Sequence, residues 1–309
     1  MKKGLIFNLC IMLYLIFFSF NLIAQEEEGK KENIDTFIEV NLNAEPKEKY
    51  VKKELCVIKM KEDEKNPTTG LAIDPNENIY YLYENGLVEV YNKKGEKVNE
   101  VKFNKPISQS FSIEINPKGD ILYYSRNGYE IMLIYDKEKN QIKTIRRQKY
   151  KSFQKIKFLE NGIYSEDDGE IIYNPENKLN LNDKIFIKDF NEEINWEKNY
   201  VTFKYKDINL KLPRKINDFS YQRILKIDNK KKIYIYYETP GKMLGDNKYE
   251  GWMEQYFKMY KINLKGELLT SFDFVPVKID EKTESIYDVK GELKKDIEFD
   301  HIIKWEKQE

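Results

Sequence analysis

"GLAIDPNENIYYLYENGLVEVYNKKGE", Gly70 to Glu96, decides the fold. Apolar and polar residues alternate through it with the two-residue period of strands whose two faces differ. The alternation breaks at Asp74–Glu77, at Asn85-Gly86 and at Asn92–Gly95, all clusters of turn-forming residues. Short strands joined by tight turns follow from that pattern.

The pattern recurs. "SIEINPKGDIL" (Ser112–Leu122) and "ILKIDNKKKIY" (Ile224–Tyr234) repeat the order of alternating apolar pair, Asp or Asn, four turn residues, then Ile with a large neighbour. Ile79, Ile121 and Ile163 stand 42 residues apart each time. The second turn repeats independently as Asn85-Gly86, Asn127-Gly128 and Asp168-Gly169, the dipeptides that supply positive φ in a tight hairpin. A third turn recurs at Asn92–Gly95, Asp136–Asn140, Asn174–Asn177 and Asn263–Gly266. Each unit is therefore four antiparallel strands joined by three short turns.

Such a unit of about 42 residues, repeated, specifies a β-propeller blade. One sheet cannot bury both faces alone, whereas a ring of them packs face to face. The 23 Tyr and 17 Phe suit these pleated, packed surfaces. Counting second strands at Ile79, Ile121, Ile163, "NYVTFKY" (Asn199–Tyr205), Ile233 and Ile286 gives six blades, with five or seven as alternatives. The fourth is the least regular: "KIFIKDF" (Lys184–Phe190) competes for its inner strand, and its outer strand is sought near "KINDF" (Lys215–Phe219). The last unit stops one strand short at "HIIKW" (His301–Trp305), and "ELCVIKM" (Glu54–Met60) precedes the first unit unassigned. Pairing these two closes the last blade. The expected fold is thus an all-β, six-bladed propeller of four-stranded antiparallel blades, sealed by its N-terminal strand.

The opening stretch resembles the NHL-type repeat of six-bladed propellers, in which an inner strand, an Asp, a Gly or Asn turn and an Ile-Tyr strand start recur in order. The resemblance extends to the wider group of regucalcin-type and TolB-like propellers. It implies a fold and little function, because this superfold carries lactonases, lyases, receptor modules and scaffolds. Regucalcin-type lactonases hold a divalent cation with Glu, Asn and Asp at a channel mouth, and lyase-type NHL propellers use histidines. This chain has one histidine, His301, read as a hydrogen-bonded structural residue in the last strand. Ser-His-Asp triads in addition to a His-rich metal site are excluded by that count. Asp74, Asn116 and Asp228 recur at the end of inner strands, so they are assigned to turn capping rather than to a metal. No catalytic residue, cofactor or metal ligand is assigned.

The N-terminus reads as an export leader: Lys2 and Lys3, an apolar run from Leu5 to Ile23, then Ala24 before Gln25 and an acidic stretch. An uncleaved anchor is the alternative, because the run is nearly long enough to span a bilayer. The expected organisation is residues 1–24 as signal peptide or anchor, 25–49 as flexible linker and 50–309 as propeller. Periplasmic, cell-surface or secreted location follows. Basic and acidic residues balance at 53 each, which gives no field to attract nucleic acid. Cys56 is the single cysteine outside the leader and reads as a small buried hydrophobe.

One departure from the repeat points to function. Where other blades have a two-residue turn, the fifth inserts "PGKMLGDNKYEGWMEQ", Pro240–Gln255. Met243, Tyr249 and Trp252 in it are the candidate binding residues, since Trp and Tyr anchor interfaces and Met adapts to them. The competing role is that the loop folds back over its own blade, with Trp252 filling a gap. The favoured reading is an exported, non-enzymatic, monomeric binding or scaffold propeller of the cell envelope, with a protein or glycan ligand and membrane contact only through an uncleaved leader. The alternative is a lactonase-like hydrolase with Ca²⁺ at the channel mouth, for which oxygen ligands alone would suffice.

Overall fold

Turn chemistry sets the strands. In a computed structural model describing residues 37–60, 68–103, 111–125, 131–146, 155–187, 195–197, 199–213, 221–244, 252–294 and 297–308, the repeated turns adopt one geometry. All these residues but Phe37 lie in the compact unit Ile38–Glu309. Asp74 Oδ1 accepts the backbone N–H of Asn76 (2.8 Å) and Asn78 (2.9 Å), while its Oδ2 accepts the Tyr80 hydroxyl at 3.1 Å. Asp228 repeats this with Lys230, Lys232 and Tyr234, and Asn116 caps Lys118 and Asp120. The recurrent Asp/Asn is thus the turn cap that its recurrence implied. Each third turn ends in a left-handed residue, Gly95, Asn140, Asn177 or Gly266. Gly95 is required twice over: its φ is +80°, and a Cβ there would lie 2.9 Å from the Val57 carbonyl oxygen.

Among the described residues, twenty-three strands result. Two lie N-terminal to the repeats, β1 (Ile38–Glu39) and β2 (Tyr50–Lys59). Blade 1 is β3 (Thr68–Ile73), β4 (Ile79–Tyr83), β5 (Leu87–Tyr91) and β6 (Lys97–Lys102). Blade 2 is β7 (Phe111–Ile115), β8 (Ile121–Ser125), β9 (Ile131–Asp136) and β10 (Gln141–Arg146). Blade 3 has three described strands, β11 (Ile156–Leu159), β12 (Gly162–Ser165) and β13 (Ile171–Tyr173), one fewer than the repeat implies. Blade 4 combines β14 (Asn195–Trp196), β15 (Tyr200–Tyr205) and β16 (Ile208–Pro213) with β1. Blade 5 is β17 (Tyr221–Ile227), β18 (Ile233–Leu244), β19 (Trp252–Ile262) and β20 (Leu268–Phe272). Blade 6 is β21 (Lys278–Ile279), β22 (Ile286–Lys294) and β23 (Ile297–Lys307), completed by β2.

Alternating side chains bury both faces of a blade, and the cores therefore form between blades. Tyr80, Leu82 and Val90 of blade 1 pack on Ile113, Tyr123 and Leu133 of blade 2. Blade 2 meets blade 3 through Leu122, Met132, Phe158 and Ile163. Blades 4 and 5 share Val201, Phe203, Ile233 and Ile235. Blade 5 meets blade 6 through Tyr234, Met259, Phe272 and Ile286, and blade 6 meets blade 1 through Ile58, Ile302, Ile79 and Tyr81. Between blades 3 and 4 no such sheet-on-sheet core occurs among the described residues. There the crossing segment intervenes: Ile185 and Ile187 pack on the core of blades 4 and 5, and Phe186 meets the Tyr164 ring edge-on at 6.1 Å. The result is an all-β propeller.

The N-terminal strand seals blade 6 as expected. β2 runs antiparallel to β23, with Glu54 opposite Ile303 and Cys56 opposite Ile302 across a bulge. Cys56 is buried, and burial followed by the Glu54 charge raises its thiol to about 11.

The expectations for the linker and for the strands of blade 4 are corrected. Residues 38–49 are not a flexible linker: Ile38 and Glu39 pair in parallel with Leu210 and Lys211, Val40 is buried, and Glu48 N–H donates to the Leu269 carbonyl at 2.7 Å. The apolar positions Ile38 and Val40 find partners only once blade 4 has formed. The outer strand of blade 4 is accordingly β1; Lys215–Phe219 lies outside the described residues. The described part of Lys184–Phe190 is no inner strand, since β14 takes that place. Residues 38–59 thus span the outer edges of blades 4, 5 and 6. The leader, residues 1–24, lies outside the described residues.

His301 sits in this seam. Its Nδ1 lies 2.8 Å from Glu54 on β2 and its Nε2 2.9 Å from Glu292 on β22. A neutral imidazole has one N–H, so only the imidazolium satisfies both carboxylates. These hydrogen bonds raise its pKa, Glu54 first. A raised folded-state pKa means that the contribution is full below the ordinary imidazole value and is lost as pH rises through the folded value. Because His301 is the chain's single histidine, one NMR imidazole resonance reports it directly. We expect a midpoint above about 6.5 that falls in Glu54→Gln and Glu292→Gln; an unshifted midpoint would remove the clip from the account.

Candidate binding site

The innermost strands bring together charges that are scattered in the sequence. Lys226 on β17 places its ammonium 2.7 Å from Glu281 after β21 and 3.8 Å from Glu166 after β12. Glu114 on β7 and Lys157 on β11 act on the same group of charges through space. Burial disfavours the Lys226 ammonium, but Glu166 and Glu281 outweigh it and raise the pKa. Glu166 is the converse case: burial opposes ionisation, and Lys226 with Lys157, Lys155 and Lys184 keeps the carboxylate ionised. On the next inner strand, Lys278 donates to the Asp74 carbonyl at 2.7 Å, and burial lowers its pKa to about 8 against the pull of Asp280 and Asp74.

Convergent carboxylates are what a hard-cation site needs. Here an ammonium stands between them. Glu281 and Glu166 are drawn to Lys226 as they would be to a metal ion, and among the described residues no three His, Cys, Asp or Glu side chains are disposed to hold one.

Beside this group opens a cavity of about 50 Å³. Its walls include Tyr164, Glu166, Phe186, Lys226, Asn229 and Glu281, and Asp183 and Lys184 form its exposed rim. It lies where the crossing segment replaces a sheet-on-sheet core. The polar groups around it have hydrogen-bonding capacity to spare. Among the described residues, the Glu166 carboxylate accepts no hydrogen bond and the Tyr164 hydroxyl makes none, although Tyr164 is 4% exposed. Among the described residues, Lys226 has one close acceptor, Glu281.

The fifth-blade insertion has a different form from the one its composition suggested. β18 and β19 continue past the sheet: Thr239 pairs with Tyr256, Pro240 with Gln255 and, beyond a bulge, Met243 with Met253 and Leu244 with Trp252. β17 begins opposite Glu238, with Tyr221, and β20 ends opposite Met259, with Phe272, so neither follows the hairpin further. The described part of the insertion is therefore a two-stranded ribbon that prolongs the hairpin. Met243 and Trp252 each occupy a paired backbone position on it, opposite Met253 and Leu244, whereas Tyr249, the third candidate binding residue, lies outside the described residues. These charges were missed because each is a lone Lys or Glu in a chain that is 34% charged. A signal did exist, namely charged residues at inner-strand positions of several repeats.

No protein-family model matches the chain, and no curated protein matches it in sequence. Among solved structures it is similar to a catalytically inactive virginiamycin B lyase from Staphylococcus aureus with quinupristin, at 13% identity and a TM-score of 0.40 over 83% of this chain and 99% of that one. A streptogramin B lyase structure matches at 12% identity and 0.36 over 86% and 100%, and RRP9 WD40 repeats at 11% and 0.30 over 77% and 62%. At these values the likenesses assign neither a family nor an activity.

Proposed function

We propose that this chain is an exported binding propeller of the cell envelope, built from NHL-like repeats in six blades, that acts by holding a partner rather than by catalysis. The observation that carries this reading is the ribbon beyond blade 5. Thr239–Leu244 and Trp252–Tyr256 pair with each other and with no further strand among the described residues. Long paired strands outside a sheet add nothing to its core, and free strand edges are templates for partner chains unless used or guarded. Met243, Tyr249 and Trp252 are the anchors in this reading, and a protein or glycan of the envelope is the partner.

Trp252→Ala decides it. The expected result is a loss of partner capture of about 2 kcal/mol or more, as for an interface anchor, with little change in melting temperature. If the residue only covers its blade, the same change costs several kcal/mol of stability, and capture per folded molecule is unchanged. Melting and pull-down yield from the native envelope, measured on that variant, separate the two.

A further inference from the structure

We infer that the cavity where blades 3, 5 and 6 meet the crossing segment is a binding site for the edge of a neutral sugar, the hydroxyls of which complete Glu166, Tyr164 and Lys226. The inference rests on the reading of the chain as a binding propeller and deepens it. Four other blade junctions hold cores of apolar side chains, and here a cavity of about 50 Å³ is lined largely by charged and polar groups. A water occupies roughly 10–15 Å³ on that measure, so the cavity admits a few hydroxyl-sized groups and not a whole ring.

The polar inventory selects the ligand class. Glu166 and Glu281 would repel an anion, and Lys226 with Lys184 would repel a cation; a neutral ligand faces neither penalty. The 3.8 Å between Lys226 Nζ and Glu166 is too long for a hydrogen bond. A hydroxyl placed between them accepts from the ammonium and donates to the carboxylate, which no purely donating or purely accepting group does. The Tyr164 hydroxyl, likewise without a partner among the described residues, serves a second ligand oxygen. Phe186 supplies an apolar wall for C–H groups, and the exposed Asp183, Lys184 and Asn229 give the rest of a ring polar contacts outside the cavity. Glu166 is held ionised without a hydrogen-bond donor, so a bound hydroxyl gains a charge-assisted bond.

The test is a protein-observed NMR titration of the full chain with glucose, galactose, mannose and N-acetylglucosamine, alongside methylammonium and acetate as charged controls. The inference expects at least one sugar to shift the amides of Glu166, Lys226 and Asn229 saturably. Tyr164→Phe removes one hydroxyl and leaves the ring in place; it should weaken that binding about fivefold or more, and Glu166→Ala about tenfold or more, typical of hydrogen bonds to neutral and charged groups. If Glu166→Ala does not fold, Tyr164→Phe decides alone. Shifts by methylammonium or acetate without any by sugars, unchanged affinity in Tyr164→Phe, or no shift with any probe, which would leave hydration water as the sole occupant, each overturn it. Failure here with partner capture still dependent on Trp252 would sink the sugar site and leave the binding propeller standing.

Discussion

Deleting residues 50–60 should abolish the cooperative unfolding transition of the whole chain. β2 faces β23 over nine register positions from Tyr50 to Lys59, and it carries Cys56, Ile58 and Met60 into the core between blades 6 and 1. Burying Ile58 and Met60 alone is worth roughly 1.5–3 kcal/mol each, and the ladder adds about 1 kcal/mol for each hydrogen bond. A domain's entire stability is only about 5–15 kcal/mol. The deletion also bares the long edge of β23, a template for intermolecular pairing. Circular dichroism should give a broad, early transition with aggregation, in place of the sharp melt of the intact chain. A sharp melt at the original temperature would mean that the seam is dispensable.

Lys261→Ala should be the most damaging single substitution. Lys261 is fully buried between blades 5 and 6, and its ammonium donates to Glu48 (2.7 Å), the Tyr50 hydroxyl (3.0 Å) and Glu284 (3.0 Å). Three donors meet three acceptors, so burial is tolerated, and the partners raise its pKa against desolvation. Lys307 pairs with the same Glu48 and Glu284 at 2.8 and 3.1 Å. Breaking a buried pair from one side costs about 3–5 kcal/mol; because Lys307 still neutralises part of the residual charge, we expect about 3 kcal/mol. In a domain of this size that is a fall of roughly 6–12 °C in melting temperature. Lys261→Met combined with Glu284→Gln should recover part of the loss, since it removes the carboxylate charge left buried beside the lost ammonium, while Lys307 still pairs with Glu48. Acid dependence gives a second readout. Burial works against ionising Glu284, yet Lys261 and Lys307 lower its pKa to about 2. A depressed carboxylate adds stability above its ordinary value, and that stability drains away as pH falls towards 2. The variant should flatten this acid slope; an unchanged slope would show that the network carries no stability.

The repeat was legible because turns are chemically demanding. A left-handed residue at Gly86, Gly95, Gly169 or Gly266 must be Gly or nearly so, and an Asp or Asn five residues before a strand marks its cap, whatever the tertiary context. The seam was legible from arithmetic, one strand missing at the end and one spare at the start. β1 was not: two residues paired in parallel with a strand that begins 170 residues later leave no local trace. Ile185–Ile187 was ambiguous for a related reason. A short apolar run serves equally as an inner strand or as a plug between blades, and only β14, which takes the inner place of blade 4, decides. Lys261 breaks the alternation of "KMYKINL" at an inward position, which reads locally as an irregularity until Glu48 arrives from the far end of the chain. The site around Lys226 is of this same non-local kind, with Glu166 from blade 3 and Glu281 from blade 6 meeting a lysine of blade 5.

The central structural claim is that residues 38–59 belong to the propeller as its closing segment. Amide hydrogen exchange read by mass spectrometry tests it most directly, since protection reports the free energy of opening segment by segment. The account predicts that peptides covering Ile38–Glu39 and Tyr50–Lys59 exchange as slowly as those covering Ile297–Lys307 and lose protection together with them on adding denaturant. Rapid exchange of the N-terminal peptides, while β22 and β23 remain protected, would contradict it.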